Sequence, residues 1–183
     1  METGIEIEIA DINQSDLEDI PEPCKGCCYW ESPEAFDKKK LDRQQFEAQK
    51  KEWFEKTTQE FGTCGKIAYH EGEPIAYAQY APTNQLVGIS RHESRHVGKI
   101  EEGVIFLSCL HVVNKKLRDK GIGEKLLQTI IEDLRRRGFK AIETIARRSG
   151  PYNPSGPVLF YIKNGFHIKD NTNPEYPLMR LYL

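Results

Sequence analysis

The chain has 183 residues, enough for one domain that buries a core without help from disulfides or metal ions. Its 26 basic and 28 acidic side chains leave a net charge of −2, which gives no indication of a nucleic-acid or membrane surface. No apolar run approaches the roughly 20 residues that span a bilayer. The acidic start is not signal-like and the five cysteines are an odd number, so we expect reduced thiols, a cytoplasmic location and one domain over residues 1–183.

The first half of the chain predicts a strand, two helices and a hairpin. Residues 5–9 alternate apolar and acidic side chains, as a strand with one solvated face does. A Ser-Pro pair at residues 32–33 predicts a helix start, and a capping box at residues 42–45 predicts a longer helix that ends at Gly62. Seven basic and seven acidic side chains between residues 34 and 60 indicate a solvated helix face. Two short runs predict a hairpin, residues 66–69 and 75–80.

The second half of the chain predicts strands on both sides of a long helix. The polar stretch 83–103 is long for a connection, so we expect a functional loop there. The apolar run 104–113 predicts a buried strand, and Gly138 ends the helix that follows it. Apolar residues recur along that helix at three- and four-residue spacing: Ile122, Leu126, Leu127, Ile130, Ile131 and Leu134. Three further segments predict a strand, a polar loop and a closing strand: residues 139–146, 147–156 and 176–183.

A glycine-rich turn joins the apolar strand to the long helix. It comprises Arg118, Asp119, Lys120, Gly121, Ile122 and Gly123. A strand, such a turn and a helix N-terminus together form an anion site, because free N–H groups point outward and glycines let phosphates approach the main chain. The turn lacks the third glycine of a dinucleotide-binding fingerprint, which Leu126 replaces, and it lacks the Gly-Lys-Ser/Thr of a phosphate-binding loop. The pattern therefore predicts a ligand with a pyrophosphate, although an ordinary strand-to-helix turn has the same outline.

Two motifs in the right order resemble the GNAT (GCN5-related N-acetyltransferase) superfamily. The turn matches its acetyl-CoA signature Gln/Arg-x-x-Gly-x-Gly/Ala, and residues 160–166 are similar to its Leu-Tyr-x-x-x-Gly-Phe segment. The aromatic residues of the second motif also suit a plain helix end capped by Gly165. The resemblance implies an α/β acyl-CoA N-acyltransferase fold, in which helices flank a mixed, mostly antiparallel sheet. It also implies acetyl-CoA as cosubstrate and direct transfer of the acetyl group to a primary amine in a ternary complex.

The resemblance also implies residue roles. CoA would be bound by the turn residues from Arg118 to Gly123, by the main chain at Val112 and Val113, and by Asn153 in the polar loop. Tyr161 would protonate the departing sulfur, or orient it as a hydrogen-bond donor, since a phenol keeps its proton at neutral pH.

The general base is open in the sequence. The strand 104–113 contains no acidic residue, and regular alternation would put Leu107, Cys109, His111 and Val113 on one face. His111 is the first candidate because a neutral imidazole titrates near the working pH, although a buried structural histidine reads the same way. The other candidates are a water chain or one of four side chains: Glu101, Glu102, His92 and His96.

The cysteines allow two interpretations. Cys24, Cys27 or Cys28, and Cys64 would need a fourth ligand such as His70 to hold structural zinc, and only one Cys-x-x-Cys pair exists. Small apolar thiols are the simpler explanation, since a second Cys pair with matching spacing is missing, so we expect no metal. Two aromatic residues beside them would line the acceptor pocket or fill the core, Tyr29 and Trp30.

Three classes of function stay open at this point. A domain that binds acyl-CoA as a non-catalytic sensor or partner module is the alternative to the enzyme, and a zinc-dependent interaction domain is the third. The sequence identifies neither the amine, which can be a small molecule or a peptide, nor the oligomeric state, for which a homodimer is one option.

Overall fold

One mixed sheet organises the chain. The computed structural model describes residues 5–38, 41–91, 99–149 and 156–183. The strands are β1 (Glu8–Asp11), β2 (Gly65–His70), β3 (Glu73–Pro82), β4 (Val104–Val112), β5 (Ala141–Ile145), β6 (His167–Asp170) and β7 (Leu178–Tyr182). The helices are α1 (Pro33–Lys38), α2 (Arg43–Phe61), α3 (Ile122–Arg136) and α4 (Val158–Lys163). Short 3₁₀ helices cover Gln14–Asp19, Thr83–Gln85, Val87–Arg91 and Lys115–Leu117.

The strand order is β1-β2-β3-β4-β5-β7-β6, and every neighbouring pair is antiparallel except β4 with β5. Helix α3 connects these two parallel strands, because a parallel pair needs a crossover. The predicted α/β fold with a mixed, mostly antiparallel sheet and flanking helices is confirmed. Among the described residues, no helix combines the length and the apolar character that crossing a bilayer requires.

The helix boundaries follow from their capping residues. The side chain of Asp42 accepts from the Gln45 N–H and completes the predicted capping box of α2, which ends at Gly62. Gly121 precedes α3 with a φ of 78°, and Gly138 follows it with a φ of 81°. Glycine adopts this left-handed backbone without strain, so the two glycines in the sequence determine where α3 begins and ends.

The sheet buries a core on each face. On the face that we call the α3 face, the apolar side of α3 and the residues Val158 and Tyr161 of α4 pack on the strands. On the opposite, α2 face, Phe54 of α2 and Trp30 pack on the strands. The two layers place α3 and its preceding turn on one side of the sheet and the segment with Tyr29 and Trp30 on the other.

A β-bulge in β4 changes the predicted alternation. In the β3–β4 ladder Gln79 pairs with Cys109 and Tyr80 pairs with Leu107, so Ser108 is an extra residue on β4. The Ser108 hydroxyl donates to the Gln79 carbonyl at 3.0 Å and stabilises the bulge. Leu107 therefore belongs to the α3 face and Cys109 to the α2 face. The prediction that these residues share one face is wrong, because the bulge moves the alternation by one residue.

The ends of the chain differ from the predicted elements. The first strand covers Glu8–Asp11 rather than residues 5–9, because its partner β2 offers the register from Tyr69 to Lys66. Strand β6 was not predicted, since four residues give too short a pattern to detect. The closing strand β7 lies between β5 and β6, and Pro177 precedes it, where a missing N–H interrupts no ladder.

Candidate active site

Strands β4 and β5 separate after three residue pairs. They pair from Val104 with Ala141 to Phe106 with Glu143, whereas β4 continues to Val112. The Thr144 hydroxyl donates to the Leu107 carbonyl at 2.8 Å, at the point where the ladder stops. Beyond it, the edge of β4 that faced β5 has no neighbouring strand within the ranges that the structure describes. We call this space the β4–β5 gap, and it opens toward the carboxyl ends of both strands.

The glycine-rich turn lies at the end of β4 beside this gap. Asp119 and Gly121 both have left-handed backbone, with φ values of 61° and 78°. The first helical bond of α3 runs from the Lys125 N–H to the Gly121 carbonyl at 2.9 Å. The N–H groups before it, from residues 119 to 124, donate to no backbone carbonyl of the described chain. Alternating left-handed residues and free N–H groups at a helix N-terminus form a nest that attracts anions.

Charge and space at the turn also suit an anion. Arg118 and Lys120 are exposed, as are Lys115 and Lys116 just before them. A side chain at Gly121 would meet no atom within 4 Å, so the turn is open to a ligand on that side. A side chain at Gly123 would instead meet Leu110 at 3.5 Å and Phe160 at 3.8 Å. Gly123 therefore lies between β4 and α4, whereas Gly121 faces solvent.

The main chain at the end of β4 is partly occupied. The Val113 N–H donates to the Ile75 carbonyl at 2.9 Å, and the Val112 carbonyl accepts from Nε of Arg118 at 3.1 Å. The second bond fixes Arg118 against the strand. Ligand contacts at Val112 and Val113 stay a prediction. The Val113 N–H and the Val112 carbonyl are already used in these two hydrogen bonds, so a ligand would contact the other main-chain groups of the two residues.

Tyr161 is fully buried on the α3 face. Its ring packs edge-on between Phe160 and Phe166, with centroids 5.2 and 5.1 Å away, so the packing role considered from the sequence is fulfilled. Its hydroxyl has no hydrogen-bond partner among the described residues, which is costly for a buried polar group. Burial raises the pKa of Tyr161, and the nearby Thr144 hydroxyl offsets this only in part. The phenol therefore keeps its proton at neutral pH and is able to donate a hydrogen bond. Its catalytic role stays a prediction.

His111 lies on the other face of β4. It is half-buried and pairs with Tyr77 of β3, which belongs to the α2-face core. Burial and then the positive charge of Arg118 lower the pKa of His111 from its ordinary value of 6.5. The imidazole is therefore neutral at pH 7, as a base must be. The gap is thus flanked by the phenol of Tyr161 on one face of the sheet and by the imidazole of His111 on the other.

The remaining base candidates lie elsewhere. Glu101 precedes β4, at the opposite end from His111, and pairs with Arg180 and Lys169. The hydrogen bond from Arg180 lowers the pKa of this carboxyl to about 2, so it is a structural ion pair. Glu102 occupies the same loop. Three predicted site residues fall outside the described residues: His92, His96 and Asn153.

The cysteines are free thiols, and most of them are buried. Cys24, Cys28 and Cys64 lie in the core, and Cys28 donates to the Phe46 carbonyl at 3.2 Å. Burial raises the pKa of Cys24 and of Cys28 to about 12, which favours inert apolar thiols over thiolate ligands. No group of three or more metal-ligating side chains comes together in the described part of the chain, and the absence of zinc stays a prediction.

The sequence interpretation missed a polar cluster beneath the α2 face. Lys50 was assigned to a solvated helix face, but its side chain is only 4% exposed and its ammonium pairs with Glu31 at 2.5 Å. A cleft of about 210 Å³ borders Lys50 from outside, between α2 and the 3₁₀ helix Gln14–Asp19. Residues of β4 and of the glycine-rich turn do not line this cleft, so it is separate from the gap.

Among the described residues, the sheet is mixed, and its parallel strand pair β4–β5 separates beside the glycine-rich turn. This arrangement defines an α/β protein with a candidate ligand site at the gap. A family model described as Acetyltransferase (GNAT) family matches residues 21–166. The chain therefore belongs to the GNAT acetyltransferase family, as the two sequence motifs predicted.

Solved structures share the fold at low identity. The PaiA N-acetyltransferase of Thermoplasma acidophilum, in complex with coenzyme A, matches with a TM-score of 0.60 and 16% identity over 97% of this chain and 99% of that one. An N-acetyltransferase of Staphylococcus aureus Mu50 matches with a TM-score of 0.60 and 15% identity, over 97% of this chain and 98% of that one. A GNAT family acetyltransferase of Brucella melitensis, in complex with acetyl-CoA, matches with a TM-score of 0.54 and 14% identity, over 98% of this chain and 89% of that one. A search of curated proteins found no match.

Proposed function

We propose that this protein is an acetyl-CoA-dependent N-acetyltransferase that transfers the acetyl group to a primary amine by direct attack in a ternary complex. The observation that carries the proposal is the nest of free N–H groups beside the β4–β5 gap. Related folds bound to coenzyme A and to acetyl-CoA support it. Strands from both ends of the chain share the sheet, which supports one domain over residues 1–183. The free thiols suit a reducing cytoplasm.

The glycine-rich turn binds the pyrophosphate of CoA. The N–H groups from Lys120 to Gly123 donate to the phosphate oxygens, and hydrogen bonds to a charged group contribute about 1.5–3 kcal/mol each. Arg118 adds a positive charge whose position is fixed by the Val112 carbonyl. The pantetheine arm then extends along the unpaired edge of β4 into the gap, and Asn153 and the free main-chain groups of Val112 and Val113 bind it.

The reaction joins a substrate from each face of the sheet. The amine nitrogen attacks the thioester carbonyl carbon, a C–N bond forms and the C–S bond breaks. Overall an ammonium and acetyl-CoA give an amide, CoA as a thiol and one proton. His111 takes a proton from the amine, because its lowered pKa keeps it neutral. Tyr161 donates to the departing sulfur, because its buried hydroxyl keeps its proton and has no other partner among the described residues.

Two measurements on the purified protein test the proposal. Calorimetry measures the Kd for CoA, and release of free thiol from acetyl-CoA is followed over a panel of primary amines that includes L-alaninamide and 1,4-diaminobutane. We expect CoA binding and amine-dependent thiol release. Absence of CoA binding would overturn the proposal. Binding of CoA without turnover of any amine would favour the non-catalytic sensor instead.

A further inference from the structure

The Cys-x-x-Cys pair of residues 24–27 lies in a turn that the proposed reaction does not use. The Cys27 N–H donates to the Cys24 carbonyl at 3.1 Å, which closes a turn of four residues. The Cα atoms at the ends of such a turn are less than about 7 Å apart, and disulfides join Cα atoms about 4.4–6.8 Å apart. The backbone therefore already holds these two cysteines at a separation that a disulfide spans.

The two thiols also lie on the same side of this turn. Burial raises the pKa of Cys24 to about 12; the Lys50 ammonium opposes this rise, and the Cys27 thiol adds to it. Burial likewise raises the pKa of Cys109 on β4, and both Cys24 and Cys27 add to that rise. Such effects require proximity, so both thiols point from the turn toward the same part of β4.

The neighbouring cysteine of the motif is directed elsewhere. Cys28 donates to the Phe46 carbonyl at 3.2 Å, so its side chain points toward α2. Cys64 is separate from the motif as well, because its sulfur lies 3.6 Å from the Thr58 hydroxyl at the other end of α2. Within the motif, Cys27 is therefore the residue whose thiol suits a bridge to Cys24.

The exposure of the two thiols gives them different tasks. Cys27 is partly exposed, whereas Cys24 is only 9% exposed and belongs to the α2-face core. Thiol–disulfide exchange begins when an accessible thiolate attacks a disulfide, and a second thiol then resolves the mixed disulfide. Cys27 is thus placed to meet an external disulfide first, and Cys24 is placed to resolve it from within the protein.

We propose that Cys24 and Cys27 form a redox-active pair that a low-molecular-weight disulfide oxidises reversibly. The Cys27 thiolate attacks one sulfur of that disulfide, an S–S bond to Cys27 forms, and one small thiol leaves. The Cys24 thiolate then attacks the Cys27 sulfur, the bridge between the two cysteines forms, and the second small thiol leaves. The pair loses two electrons and two protons, which the two small thiols carry away.

Peptide mapping after oxidation tests the pair. Reduced, folded protein is incubated with oxidised glutathione, remaining thiols are blocked with N-ethylmaleimide, and an unreduced tryptic digest is analysed by mass spectrometry. Trypsin cleaves after Lys25, so a bridge from Cys24 to Cys27 keeps the peptides 1–25 and 26–38 joined. The matched variants are Cys27→Ser and Cys28→Ser, since these neighbours lie in the same tryptic peptide.

We expect the wild type to lose two of its five thiols, to yield the joined peptides and to regain all five thiols with dithiothreitol. Cys28→Ser should form the bridge as the wild type does, and Cys27→Ser should form joined peptides at least about tenfold more slowly. Retention of all five thiols, or a glutathione adduct that persists without a bridge, would overturn the inference. So would a bridge to Cys109, or joined peptides in Cys27→Ser at the wild-type rate, which would assign the bridge to Cys28. None of these results depends on CoA binding, so they leave the proposed function untouched.

Discussion

Replacing Gly121 by alanine tests the anion site with a defined backbone penalty. Gly121 has a φ of 78°, and an added methyl group would meet no protein atom within 4 Å. The substitution therefore creates no clash, and it destabilises the fold only through the left-handed backbone, by about 1–2 kcal/mol. For a domain of this size we expect Tm to fall by roughly 2–8 °C. The same methyl group occupies space at the nest, so it hinders the approach of phosphate oxygens to the N–H groups.

Gly72 offers a matched control. It lies in the turn between β2 and β3 with a φ of 79°, and an added methyl group there also meets nothing within 4 Å. Gly72→Ala and Gly121→Ala should therefore lose similar stability. Only Gly121→Ala should lose affinity for CoA, by at least about tenfold, since about 1.4 kcal/mol corresponds to the weakening of one charge-assisted hydrogen bond.

Calorimetry with CoA and thermal unfolding with and without CoA distinguish the two effects. At a CoA concentration 100 times the Kd, binding raises the free energy of unfolding of the wild-type protein by about 2.7 kcal/mol. The increase should be distinctly smaller for the Gly121 variant at the same CoA concentration. Equal CoA affinities in wild type, Gly121→Ala and Gly72→Ala would refute the nest as the pyrophosphate site.

Three further substitutions separate catalysis from stability. Tyr161→Phe should lower kcat by about ten- to a thousandfold with an unchanged Kd for acetyl-CoA. The Tm of this variant should not fall, because the substitution removes a buried hydroxyl without a partner among the described residues. Unaltered turnover would mean that Tyr161 serves only in packing. With His111 as the base, kcat/KM for the amine should rise with pH through a pKa below 6.5. Arg118→Gln, measured at saturating acetyl-CoA, should shift this rise to higher pH, because it removes a positive charge that lowers the His111 pKa. An unshifted profile would argue against His111. The same lowered pKa makes the unfolded chain bind the extra proton, so stability should fall below about pH 6.5. Arg137→Lys should lower the free energy of unfolding, measured in urea, by about 1–3 kcal/mol without changing CoA affinity. The reason is that the guanidinium donates to the Phe61 and Thr63 carbonyls and so connects the end of α2 to the end of α3. Unchanged stability would contradict this.

Local patterns were enough to predict the elements that we propose as the cofactor site. The apolar run before the glycine-rich turn, the periodic side of α3 and the left-handed glycine at its start each act over a few residues, so they are visible without the fold. The bulge at Ser108 depends on the pairing of β4 with β3, and no local signal predicts it. The burial of Lys50 likewise depends on Glu31, which lies 19 residues away in sequence. Charge spacing along a helix cannot reveal such a partner.

The bulge is also the feature that separates the two sides of the site. Without the extra residue at Ser108, regular alternation would put Leu107 and His111 on the same face of β4. With it, Leu107 and Leu110 belong to the α3 face, next to the glycine-rich turn, while Cys109 and His111 belong to the α2 face. One strand therefore contributes residues to both of the proposed substrate sites, from opposite faces. Because β5 has already departed at this level, the two faces meet at the edge of β4, where a thioester from one side and an amine from the other would come into contact.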